Sequence, residues 1–144
     1  MKNQKPKMNL IESIKKHEGY SDVIYEDAVG VPTIGWGFNL MEPIPKPVAE
    51  LWLAILVDRC EDELKKNYKW YSKLDENRKN AILDMYFNLG ASKFAEFKKM
   101  HRAFENGHHD IAAKEMLDSK WARQVGNRAT DLASIVAEND NIGI

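Results

Sequence analysis

The sequence predicts an α+β protein, mostly helical, with a small antiparallel sheet near the N terminus. Three observations predict it. Residues 20–40 carry β-branched and aromatic runs, "VIYED" and "PTIGWGF", separated by "AVG", which is the pattern of short strands joined by turns. From Pro47 onward, apolar residues recur at three- and four-residue spacing, which places them on helix faces. The length of 144 residues, with 44% hydrophobic and 30% charged content, suits one folded domain with a real core.

Taken in order, the first helix is expected to start at Asn9, a good N-cap, and to carry Leu10, Ile11 and Ile14 on one face. Gly19 stops it in the C′ position. Residues 20–40 form a hairpin or a three-strand sheet. "MEPIPKPVAE" has three prolines in five residues and leads stiffly into a helix, with Pro47 in its first turn. That helix runs to about Lys66 and is so apolar that it is expected at the centre of the core. Asp75 caps the next helix, on which Ala81, Ile82, Met85, Tyr86 and Leu89 share a face until Gly90 ends it. Shorter helices follow at "FAEFKKMHRAF", "DIAAKEML" and "NRATDLASIVAE". The chain thus reads as a small β-lobe, about residues 20–45, and a helical lobe, about 47–144. Together they make a single catalytic domain over 1–144, with no separate wall-binding domain. The acids of the hairpin fall at the lobe boundary, and clefts between lobes are common sites.

Composition excludes several functions. A net charge of −1 provides no basic field for nucleic acid or an anionic membrane. The longest apolar stretch, "VAELWLAILV", is interrupted by Glu50 and too short to span a bilayer. The basic N-terminal residues lack the apolar run of a signal peptide, so a soluble protein of the host cytoplasm is expected. The lone Cys60 cannot form an intrachain disulfide and reads as a packed thiol. His108 and His109 are adjacent and no His-Glu-x-x-His run exists, so no metal is expected, and proton transfer by the carboxyl groups described next needs no other cofactor. Trp52 and Trp121 read as core, whereas Trp36, inside a glycine-rich turn, could pack or carry a sugar.

The chemistry concentrates in "HEGYSDVIYEDAVGVPTIGWG", residues 17–37. Glu18 is expected at the C-terminal end of the first helix, where the dipole disfavours a carboxylate, which suits a general acid. Asp27 ends a strand beside a turn and reads as an ionised base. Two carboxyl groups in unlike surroundings are what glycoside cleavage requires. The spacing alone is weak, since the chain has 22 acidic residues. Gly35 and Gly37 allow either the close approach of a polysaccharide or a bend in the sheet.

"HEG", "YED", Gly30 and "TIGWG" resemble the Glu, Asp and Thr motif of the phage-type lysozymes, the family of the T-even phage lysozymes and related endolysins, glycoside hydrolase family 24. "LDMYFNLG" and "WARQVGNRA" resemble two later motifs of that family, and the similarity covers about residues 9–130. The resemblance implies a two-lobe fold with an active-site cleft, and hydrolysis of the β-1,4 bond between N-acetylmuramic acid and N-acetylglucosamine in peptidoglycan. It implies Glu18 as acid, Asp27 and Thr33 as holders of the attacking water, and Arg128 as the residue that pairs with Glu18 and orients it. Gly35, Asn39, Phe87, Asn88, Met100 and Glu115 fall at saccharide-contacting positions, although Asn39, Met100 and Glu115 differ in type from the T-even enzymes. Phe38 stands where many relatives carry histidine, and the segment between the sheet and the long helix is shorter. An inverting outcome, a monomeric state and dependence on a holin or equivalent for access to the wall are expected. A lytic transglycosylase would need only the glutamate. A non-catalytic module of the same fold would be expected to lose an acid or the arginine.

Overall fold

The structure is a computed structural model that describes residues 7–138. It is mostly helical with a three-stranded antiparallel sheet, as the sequence predicts. The chain divides into two compact units, Met1–Leu51 and Trp52–Ile144.

In the first unit, α1 spans Lys7–Glu18. It begins two residues before the expected Asn9 cap, because Lys7 and Met8 are good helix formers and a cap preference of about 1 kcal/mol does not stop them. It ends as predicted: Gly19 has φ +71°, and its N–H reaches the Lys15 carbonyl at 2.9 Å. Strands β1 (Ser21–Glu26), β2 (Pro32–Gly35) and β3 (Phe38–Asn39) follow in sheet order β1-β2-β3. Tyr25 pairs with Thr33 and Glu26 with Pro32, but Ser21 pairs with Gly35. Four steps along β1 therefore match two along β2, and β1 bulges between Ser21 and Tyr25. Thr33 also pairs with Asn39 on β3.

Helix α2 (Lys46–Asn67) has the predicted extent but not the predicted burial. Leu64 is its buried residue, with Cys60 packed partly against the core. Val48, Leu51, Leu53 and Ile55 are exposed, and so is Trp52, at 51%, which the sequence placed in the core. The reason is local: only the C-terminal half of α2 lies against the core of the second unit. Burial pushes the Cys60 thiol up, with Glu63 adding to it, as befits a packed thiol.

That core is built from α3 (Lys69–Ser72), α4 (Glu76–Leu89), α5 (Ala91–Ala95), α6 (Lys98–Glu105), α7 (His109–Leu117), α8 (Lys120–Val125) and α9 (Asn127–Ala137). The stripe predicted on α4 is buried at Ala81, Ile82, Met85 and Tyr86 and packs against α9. Asp75 caps α4 by accepting from the Arg78 N–H, and Gly90 closes it. Helix α8 was not anticipated as a separate element; Ser119 caps it by accepting from the Ala122 N–H at 3.0 Å. Arg78, buried on α4, donates from Nε to the Val136 carbonyl at 2.8 Å and from Nη2 to the Glu138 carbonyl, while Nη1 holds Asp75 at 2.9 Å. Carbonyls at a helix C-terminus lack helical partners, and Arg78 supplies them for α9.

Candidate active site

Glu18 is the last residue of α1. Its side chain lies against Gly37 in the turn between β2 and β3: a Cβ on Gly37 would stand 2.6 Å from the Glu18 carboxyl carbon. Gly37 also has φ +73°, so two independent constraints require glycine there. The room beside Gly37 is thus taken by the acid, and that beside Gly35 by the Phe38 ring, whose Cδ2 would be 2.6 Å from a Cβ.

Asp27 lies just past β1 and organises the turn into β2. Its Oδ1 accepts from the Val29 and Val31 N–H groups, each at 2.9 Å. Its own N–H donates to the Val31 carbonyl at 3.0 Å, and its carbonyl accepts from the Gly30 N–H at 3.0 Å. These bonds leave the second carboxylate oxygen without a hydrogen-bond partner among the described residues. Thr33 is 3% exposed, and its hydroxyl donates to the Val31 carbonyl at 2.7 Å. With its proton committed, Thr33 Oγ1 can only accept from a further group. One residue therefore ties the two together: the Val31 N–H donates to Asp27 and the Val31 carbonyl accepts from Thr33. Sequence reasoning missed Val31, because a backbone role leaves no mark in residue type. Asn39, opposite Thr33, accepts the Met41 N–H at 2.8 Å with Oδ1, which leaves its amide hydrogens available.

The second unit holds the other candidates. Arg128, in the first turn of α9, is gripped by Asp84 of α4: Nε donates at 2.8 Å and Nη2 stands 2.7 Å from the same carboxylate oxygen. Asp84 was missed; an exposed acid on a helix carries no sequence signal for an ion pair made 44 residues away. Arg128 and Glu18, expected as partners, lie in different units. Phe87 is partly exposed on α4. Asn88 accepts from Trp121 Nε1 at 2.7 Å, and Trp121 is buried as expected. Met100 and Glu115 both line a concavity of about 650 Å³, with Leu89, Phe97 and Trp121 among its walls. Met100 is fully buried, so it backs this concavity instead of offering an exposed side chain to a sugar. Its apolar, flexible side chain suits such a packing role.

A family model described as phage lysozyme matches residues 15–136, most of the chain and a range within which the ten candidate residues fall. The chain belongs to the phage lysozyme family. Among curated proteins, it is 24% identical to the pre-baseplate central spike protein Gp5 of Enterobacteria phage T4, over 91% of this chain and 28% of that protein. It is 37% identical to a probable T4-type lysozyme of Dictyostelium discoideum, over 45% of this chain and 38% of the relative. A third relative, the endolysin of Salmonella phage P22, is 27% identical over 60% of this chain and 64% of its own length. The chain thus spans between about a quarter and two thirds of the length of these relatives.

Proposed function

We propose that this chain is a muramidase of the endolysin type, a glycoside hydrolase that cleaves the β-1,4 bond between N-acetylmuramic acid and N-acetylglucosamine in peptidoglycan and serves host lysis. One observation carries the reading beyond family membership: Asp27 and Thr33 are both hydrogen-bonded to the backbone of Val31, the first through its N–H and the second through its carbonyl. A hydroxyl that must accept and a carboxylate with a free oxygen are the two groups needed to hold a water and take its proton. Thr33 accepts one hydrogen of the water, Asp27 removes the other, and the oxygen attacks the anomeric carbon. Glu18 protonates the leaving glycosidic oxygen as the bond breaks. Its last-turn position on α1 and its seat on Gly37 restrict where that proton can be delivered. Orienting the acid is the role proposed for Arg128, whose guanidinium Asp84 already fixes.

The inverting course follows from this assignment, because a water attacking directly from the far face leaves no covalent sugar on Asp27. No cofactor takes part in the mechanism, and the enzyme is proposed to act as a monomer. No helix among the described residues is long and apolar enough to cross a membrane, and access to the wall is proposed to depend on a holin or equivalent. The test is a zymogram on purified cell wall with the parent and Glu18→Gln. The amide keeps the shape beside Gly37 but cannot act as the acid, so clearing should fall by several orders of magnitude, at about 1.4 kcal/mol of barrier per tenfold. Clearing within a few-fold of the parent would remove Glu18 from the mechanism.

A further inference from the structure

We propose that Phe38 is the aromatic platform on which the sugar next to the scissile bond stacks; this rests on the glycosidase reading above. Glu18 lies against Gly37, and Phe38 is the next residue, the first of β3. The acid of α1 therefore rests on the residue that immediately precedes the ring. The ring is held in place from beneath and from the side. It lies over Gly35, where even a methyl group would collide with it, and Trp36 stands edge-on to it, with centroids 6.4 Å apart and planes at 68°. Trp36 is itself engaged, by Tyr20 at 4.7 Å and by the Lys15 ammonium 4.7 Å above its ring. Trp36 is thus the brace, and Phe38 the residue with surface to spare, 56% exposed.

A fixed phenyl ring with an open face has no hydrogen bond to offer. It gains by covering an apolar, flat partner and releasing water from both surfaces. A β-linked N-acetylhexose has such a face, because its equatorial substituents leave axial C–H groups pointing to one side. The glycan strand must pass the Glu18 carboxyl for the bond to break, so a sugar of that strand is the occupant that the neighbouring acid selects. The rigid brace lowers the ordering cost that a mobile side chain would impose on binding.

The test uses the whole chain and a soluble, uncrosslinked strand of alternating N-acetylglucosamine and N-acetylmuramic acid. Phe38→Leu should raise KM about tenfold, the effect of about 1.4 kcal/mol of lost stacking, and leave kcat within about twofold. Phe38→Tyr should restore KM to within about twofold of the parent, which a role for bulk alone would not require. Binding of the same strand to Glu18→Gln, followed by NMR, should shift axial sugar protons upfield and give cross-peaks to the Phe38 ring. If Phe38→Leu does not fold, those shifts decide alone, and their absence at saturating glycan overturns the proposal. So does a folded Phe38→Leu with parental KM, or a Phe38→Tyr that fails to restore it. A parent protein that neither cleaves nor binds the strand removes the glycosidase reading, and the platform with it. A parent that cleaves normally while the Phe38 measurements show no effect removes the platform alone.

Discussion

Among the described residues, the buried hydrophobic side chains all lie between Leu64 and Val136, whereas before Trp52 the buried positions are Thr33 and Gly35. The second unit is held by packing of α4, α6, α7 and α9. The first is held by turn chemistry: the Asp27 bonds, the Val31 carbonyl and the glycines at positive φ. The contrast teaches where each kind of mutation will act. Isosteric substitutions at the proposed catalytic residues, which keep those bonds, should change chemistry with little effect on stability, and core substitutions should do the reverse.

The largest expected effect is at Asp27. Asp27→Asn still offers an oxygen to the Val29 and Val31 N–H groups, so unfolding free energy should change by less than about 1 kcal/mol. Activity should fall at least about 100-fold, because the amide cannot take a proton from water. Cell-wall turbidity assays beside urea denaturation measure both, and a parallel loss of stability and activity would break the comparison. Next comes the core. Phe94→Ala, at a fully buried ring, should cost about 3–5 kcal/mol, while Ile24→Ala on exposed β1 should stay within about 0.5 kcal/mol. Equal losses would place part of the core in the sheet unit.

Smaller again is Arg78→Met, which keeps the aliphatic stem but strands the Val136 and Glu138 carbonyls; about 2–3 kcal/mol should be lost in the same assay. A change within 0.5 kcal/mol would show that water serves those carbonyls equally well. The smallest effect concerns pH. His101 hydrogen-bonds through Nε2 to the Phe94 carbonyl at 2.8 Å, stacks on Tyr68 and leaves Nδ1 buried without a partner among the described residues. Burial holds its pKa below the ordinary 6.5, against the opposing pull of the Phe94 carbonyl and Glu105. The unfolded chain therefore takes up the proton first as pH falls. The stabilisation from neutral His101 is complete above about 6.5 and is lost as pH falls from there through the folded value. Melting temperature should drop over that window, and His101→Gln should flatten the drop.

Much of this division was legible in the sequence, because it rests on local signals. The β-branched and aromatic runs in residues 20–40 and the α4 stripe between Asp75 and Gly90 both describe how a segment relates to itself, and both gave the observed elements. The Glu18, Asp27 and Thr33 motif lies in one short stretch for the same reason. What could not be read was tertiary. The apolar run of α2 looks like core, yet nothing in its spacing says that only its second half would find a core to join. Met100 has the residue type of either a wall or a floor. Arg78, Asp84 and Val31 act through partners distant in sequence or through peptide groups, and neither leaves a pattern in residue type.

The most direct test of the proposed chemistry is the anomeric form of the first product. A soluble glycan followed by proton NMR at early times should release its reducing muramic acid as the α anomer, which then mutarotates, since water held by Asp27 and Thr33 attacks a β bond from the opposite face. An initial β anomer would make Asp27 a nucleophile, and 1,6-anhydro ends would mean that no water is held at all; either contradicts the account.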